Sequence, residues 1–170
     1  MAVDAIPVSI VNRDAPARLL RAGLLTALLD GSFSGVLAAF FYGSSVTRLF
    51  QGVAATLLGP RALEGGASTA LIGVLMHIGV AFAWSAVFLF VALRLGWVQR
   101  LVASPYGVLK AAVIYGPIVW MTMSLIVIPL FTHRPPAITV RWWIQFFGQM
   151  VFVGIPIVAT TTRGYGRLGR

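Results

Sequence analysis

The chain contains no cysteine and only four acidic residues in 170, and charged side chains of both signs make up just 10% of it. Without thiols there is no disulfide, no thiolate nucleophile, no thiol relay and no cysteine-held metal cluster. Set against 59% hydrophobic residues, so little charge lies far from the composition of a soluble domain. Cofactor, nucleotide and hydrolase motifs are missing too, so no reaction is written in the sequence. The net charge of +9 comes without a basic run or an aromatic stacking platform, which removes nucleic acid as a partner. No cofactor, no metal ion and no catalysis are expected.

What the chain does have is apolar length. Residues 22–43, 68–93, 108–131 and 142–162 each cover the ~20 positions a helix needs to cross a bilayer. The expected fold is all-α: a polytopic membrane protein whose four-helix bundle occupies residues 22–162. A tail, 1–21, precedes it and a basic tail, 163–170, follows it. Asp4 and Pro7 spoil the first residues as a signal peptide, so the first span is expected to direct insertion.

Charge orients the bundle. Arg13, Arg18, Arg21, Arg94, Arg100, Lys110, Arg163, Arg167 and Arg170 fall on one side of the four spans, and only Arg48, Arg61, Arg134 and Arg141 on the other. Basic residues mark the cytoplasmic face, so both termini are expected inside. Aromatic anchors agree: Tyr42 ends the first span, Trp97 and Tyr106 flank the inner connection, and Trp142 and Trp143 open the fourth span outside. Before the first span, Asp14 followed by Pro16 has the form of a helix N-cap with proline in the first turn. Between the first two spans, Val46 to Gly59 is too short to cross. Val46, Leu49, Phe50, Val53 and Leu57 share one helical face, with Arg48 and Gln51 on another. A short amphipathic helix lying in the outer interface is expected, with a re-entrant loop as the alternative.

Small residues recur every four positions in the first span, at Gly23, Ala27, Gly31, Gly35, Ala39 and Gly43, beside a second row of Thr26, Asp30 and Ser34. The second span carries Thr69, Gly73, His77, Ala81 and Ser85 at the same spacing. Such ladders let backbones approach closely in lipid, where the hydrophobic effect does not drive helices together. The two are expected to face each other. Pro117, Pro129 and Pro156 each remove a backbone donor from the third and fourth spans and free a carbonyl about one turn earlier.

Asp30 is the most costly residue: roughly 13 Å into its span at 1.5 Å per residue, it must face protein or water. His77 enters from the other side to nearly the same depth, Gln149 reaches that level with Gln145 one turn above it, and Tyr115 and Thr122 bracket it. A midplane cluster of Asp30, His77 and Gln149, with Tyr115 or Thr122 in reserve, is therefore expected. It serves either as a proton or substrate site or as polar glue between helices. One intramembrane histidine supplies only one of the two axial ligands of a haem, and no nucleophile accompanies the cluster.

With these residues in view, the chain resembles a family of small uncharacterised bacterial inner-membrane proteins with four predicted helices. The likeness rests on the Asp30 neighbourhood, Phe50-Gln51, Leu58-Gly59-Pro60, Gly65-Gly66, Thr69-Ala70, Gly73 with His77, Tyr115-Gly116, Pro135-Pro136 and Gly154-Ile155-Pro156. It covers roughly residues 22–162 and implies a bacterial inner-membrane location, with no activity attached. Short connections and small-residue faces point first to an accessory or scaffold subunit. Such a subunit packs against a larger respiratory or photosynthetic type of complex, or against copies of itself. The alternative is a small proton- or solute-handling transporter working as an oligomer around Asp30 and His77, although no inverted repeat relates the two halves.

Overall fold

The structure, a computed structural model, describes residues 14–163. Most of both expected tails, residues 1–13 and 164–170, lies outside the described residues. Four helices are long and apolar enough to cross a membrane: α1 (Ala15–Phe41), α3 (Gly66–Arg94), α5 (Gly107–Thr132) and α6 (Val140–Thr161). The shorter apolar α2 (Val46–Leu58) stands between the first two, so the expected class is the one found. The second connection, on the same side as both ends of the bundle (the inner side in the expected orientation), contains one more helix, α4 (Gly96–Ala103), not foreseen from the sequence; it buries Val98 and leaves Trp97 and Arg100 exposed.

The first helix starts at Ala15 rather than at residue 22. Asp14 occupies the N-cap position and Pro16 the first turn, yet the Asp14 side chain makes no capping bond. The extra turns bring Arg18 beside the end of α6, where its Nη1 donates to the Thr161 carbonyl at 3.4 Å. That carbonyl is one of the last four of its helix, which have no intrahelical donor and carry the negative end of the dipole.

Two of the three span prolines are absorbed without a break. A π-helical turn, Met123–Val127, ends two residues before Pro129, and another, Met150–Gly154, ends two residues before Pro156. Proline has no N–H for the carbonyl four residues back, and its ring clashes with that carbonyl. Widening the preceding turn to i→i+5 bonding relieves both problems. Pro117 stays inside regular α-helix.

The helix order in space is α3, α1, α6, α5. The ladders do bring α1 and α3 together, but only over their inner halves. Gly23 faces the Phe82 ring, which a Cβ would meet at 2.7 Å, and Gly31 faces His77. Toward the outside, α2 wedges between the two helices. Gly35 meets Val46, and Gly73 lies directly against the Phe50 carbonyl. The expectation that both ladders serve a single α1–α3 contact is therefore corrected: Gly35 and Gly73 make room for α2. Gln51, placed by its periodicity on the polar side of α2, is in fact buried and donates to the Gly66 carbonyl at 3.0 Å. A buried amide must find an acceptor, and the backbone at the start of α3 supplies it.

The closest backbone approach expected between α1 and α3 is matched between α5 and α6. A Cβ on Gly116 would strike the Gln149 carbonyl, and one on Gly154 would strike that of Ala112. At the outer end, Trp142 is buried and donates from Nε1 to Ser124 Oγ at 3.0 Å, so only Trp143 remains an exposed anchor. Arg141 stacks over the Tyr42 ring at 4.4 Å, joining the outer ends of α6 and α1. The backbones of α3 and α5 stay apart. Toward the inner end a side chain closes the gap: Tyr115 donates to the Trp84 carbonyl at 2.7 Å and sets its ring against Phe88 at 4.7 Å.

Candidate functional site

The separation of α3 from α5 leaves a cavity of about 450 Å³ above Tyr115, walled by α1, α2, α3, α5 and α6. Asp30, His77 and Gln149 all line it. Asp30 stands on α1 in the row of Thr26 and Ser34, and that row faces α6. Gln149 Nε2 donates to Asp30 Oδ1 at 2.9 Å, and one turn outward Gln145 Nε2 donates to Ser34 Oγ at 3.3 Å. Two residues four apart on α1 thus meet two residues four apart on α6, which is what antiparallel helices allow. Phe33 stacks on Phe152 at 4.3 Å beside these rungs, and its ring covers Gly148.

His77 makes a different bond. Its Nε2 lies 3.0 Å from the Ala27 carbonyl of α1. A carbonyl oxygen only accepts, so Nε2 carries the proton and the tautomer is set. Gly31 makes this reach feasible, because a Cβ there would stand 3.2 Å from Nε2. The Phe50 ring of α2 meets the imidazole at 5.8 Å, edge to face. The other ring nitrogen has no protein partner among the described residues.

The expected cluster is thus brought together in part. Asp30, His77 and Gln149 share one cavity, and Ala81 on α3 is buried in its wall. A direct Asp30–His77 hydrogen bond is not formed, since each bonds α1 or α6 separately. Two reserve members do not join. Tyr115 turns its hydroxyl to the Trp84 carbonyl below the cavity, and Thr122 bonds the Ile118 carbonyl of its own helix at 2.8 Å. α5 presents Val119, Trp120 and Met123 to the cavity instead. Depth gives no azimuth, and these two residues fall on the wrong sides of their helix.

Other wall residues were not foreseen as a site. Trp84, Trp120, Met76 and Met123 supply aromatic faces and thioethers. Thr26, one turn before Asp30, also lines the wall; it is 2% exposed and its hydroxyl has no partner among the described residues. The Trp120 indole N–H is likewise buried without a partner. Its row with Asp30 was the available signal for Thr26, whereas the tryptophans and methionines resemble ordinary apolar core in sequence. Among the described residues no group of three metal-binding side chains is assembled. No protein-family model, curated protein or solved structure matches the chain.

Proposed function

We propose that this chain is an integral membrane protein that binds a small solute in its bundle cavity and couples that binding to a proton at Asp30. The observation that carries the reading is the convergence of Asp30, His77 and Gln149 on one half-open cavity. An ionisable group at such depth costs ~2.5–3.5 kcal/mol on insertion scales, an expense expected where it serves a substrate or proton pathway. If the pair served only as glue, Asp30–Gln149 and His77–Ala27 could be packed over, yet the two bonds border open volume instead. We further propose the inner membrane of a bacterium as the location, on the resemblance given above, with both termini cytoplasmic on the strength of the arginine distribution.

The test is proteoliposome flux: a panel of small solutes with an imposed proton gradient, read by an internal pH dye. Solute-dependent proton movement that Asp30→Asn abolishes, with the variant still folded, is expected. Solute-dependent movement that survives Asp30→Asn, or none with any solute, overturns the coupling. The accessory-subunit reading keeps one observation in its favour, the outward aromatic pair Phe40 and Phe41, 80% and 71% exposed at the end of α1. Co-purification with a larger membrane complex that Phe40→Ala/Phe41→Ala disrupts would favour it.

A further inference from the structure

We infer that the solute is an organic monocation, an amine or onium compound with apolar substituents, held with Asp30 as counter-ion. The inference rests on the solute-binding reading above and adds the chemical class to it. Among the described residues, the ionisable side chains of the cavity wall are Asp30 and His77, with no lysine or arginine. An anion would find no permanent cation there, only the His77 imidazole, and would face the Asp30 carboxylate. The Asp30 carboxylate accepts one hydrogen bond, at Oδ1 from Gln149, and no protein donor meets its other oxygen among the described residues. A carboxylate has about four acceptor positions, so most of its capacity is left to whatever enters.

The rest of the wall suits the same ligand. Trp84 and Trp120 offer indole rings, the best aromatic partners for a cation that has shed its water. Met76 and Met123 offer polarizable thioethers that adapt to irregular apolar groups. A volume of about 450 Å³ falls within the range of pockets that enclose drug-sized molecules.

Shape-matched ions of opposite charge test this on the purified full chain in detergent. Tetraphenylphosphonium, tetraphenylborate and neutral triphenylphosphine oxide are compared by equilibrium dialysis against protein-free micelles, with tryptophan quenching as a second readout. The cation should bind saturably at one per chain, at least tenfold more tightly than the anion or the neutral compound. Asp30→Asn should weaken the cation at least tenfold, because it keeps an acceptor for Gln149 while removing the charge. Trp84→Leu should weaken it several-fold, and Asp30→Glu should retain it. Should Asp30→Asn fail to fold, the charge preference of the wild-type chain decides. Equal or tighter binding of the anion or neutral probe overturns the cation class while leaving a solute cavity in place. Cation binding indifferent to Asp30→Asn overturns the class too, as does no binding of any probe. The solute-coupled proton flux described above is a separate measurement, so loss of the class and loss of the parent reading are told apart.

Discussion

Gly116→Ala adds one methyl group at the closest contact between α5 and α6. The new Cβ would lie 2.8 Å from Met150 N and nearer still to the Gln149 carbonyl, where ordinary contact begins at 3.4 Å. Both neighbours are backbone, so no side chain can turn aside and the helices must part by about half an ångström or more. Overpacking of this kind costs about 1–3 kcal/mol. Residue 149 itself is the one displaced, so the Asp30–Gln149 hydrogen bond is strained as well, a loss of about 1 kcal/mol. The sum, about 2–4 kcal/mol, corresponds to a fall of about 4–16 °C in the melting midpoint of a chain this size. Gly79→Ala is the matched control: that glycine lies in α3 with nothing within 4 Å of its Cβ position. It should be neutral, or stabilising by up to ~1 kcal/mol through helix propensity. Thermal unfolding in a mild detergent, read by tryptophan fluorescence, measures both. Equal midpoints for Gly116→Ala and Gly79→Ala would refute the close α5–α6 crossing and the alignment of Gln149 that depends on it.

Three further outcomes follow from the same contacts. Gly31→Leu should displace His77 from the Ala27 carbonyl and lower the midpoint, whereas Gly52→Ala, with nothing near its Cβ position, should leave it unchanged; unaltered stability in Gly31→Leu would place the His77 contact elsewhere. Asp30→Leu should destabilise by about 1–3 kcal/mol because buried Gln149 is left unpaired, and adding Gln149→Leu should recover part of that loss; a double variant as unstable as the sum of the singles would deny the coupling. Reporter fusions after residue 170 should be active only in the cytoplasm and fusions within residues 133–139 only outside; the opposite pattern would reverse the topology.

Spans and class were legible in the sequence because each depends on one chain segment at a time, and hydropathy only counts residues. Pairing was less legible because it depends on azimuth. The row Thr26, Asp30, Ser34 and the pair Gln145, Gln149 have the same four-residue spacing, and that match was enough to bring α1 against α6. The longer glycine ladder beside it points to α3 instead. Gly73 and Gly35 belong to that ladder in sequence, yet they face α2, an element too short to register as a competitor for space. Gln51 failed for a related reason: a period places it opposite the apolar face, but a period cannot say that this opposite face is also covered. The tryptophans and methionines of the cavity carry no pattern apart from core residues. Their role appears only once α3 and α5 are seen to diverge.

Proline and cavity are linked through helix phase. Gln149 and Val158 are nine residues apart, which in a straight α-helix is about 900° and puts them on opposite faces. Both are buried, at 5% and 0% exposure, and the π turn Met150–Gly154 stands between them. Its extra residue takes about 100° out of the count, so the inner half of α6 can bury Val158 and Thr161 while the outer half still points Gln149 at Asp30. Pro156 holds the turn open, because its ring and missing N–H oppose the ordinary bond to Phe152. Pro156→Ala restores that donor and favours a regular turn, which would rotate one half of the helix against the other. Either Gln149 then leaves Asp30, or the Gly154–Ala112 contact opens. Helical content should be unchanged by circular dichroism, the melting midpoint should fall, and the affinity for tetraphenylphosphonium should drop along with that of Gln149→Leu. Wild-type stability and affinity in Pro156→Ala would mean that the turn is maintained by packing alone, and that proline does not set the position of the glutamine.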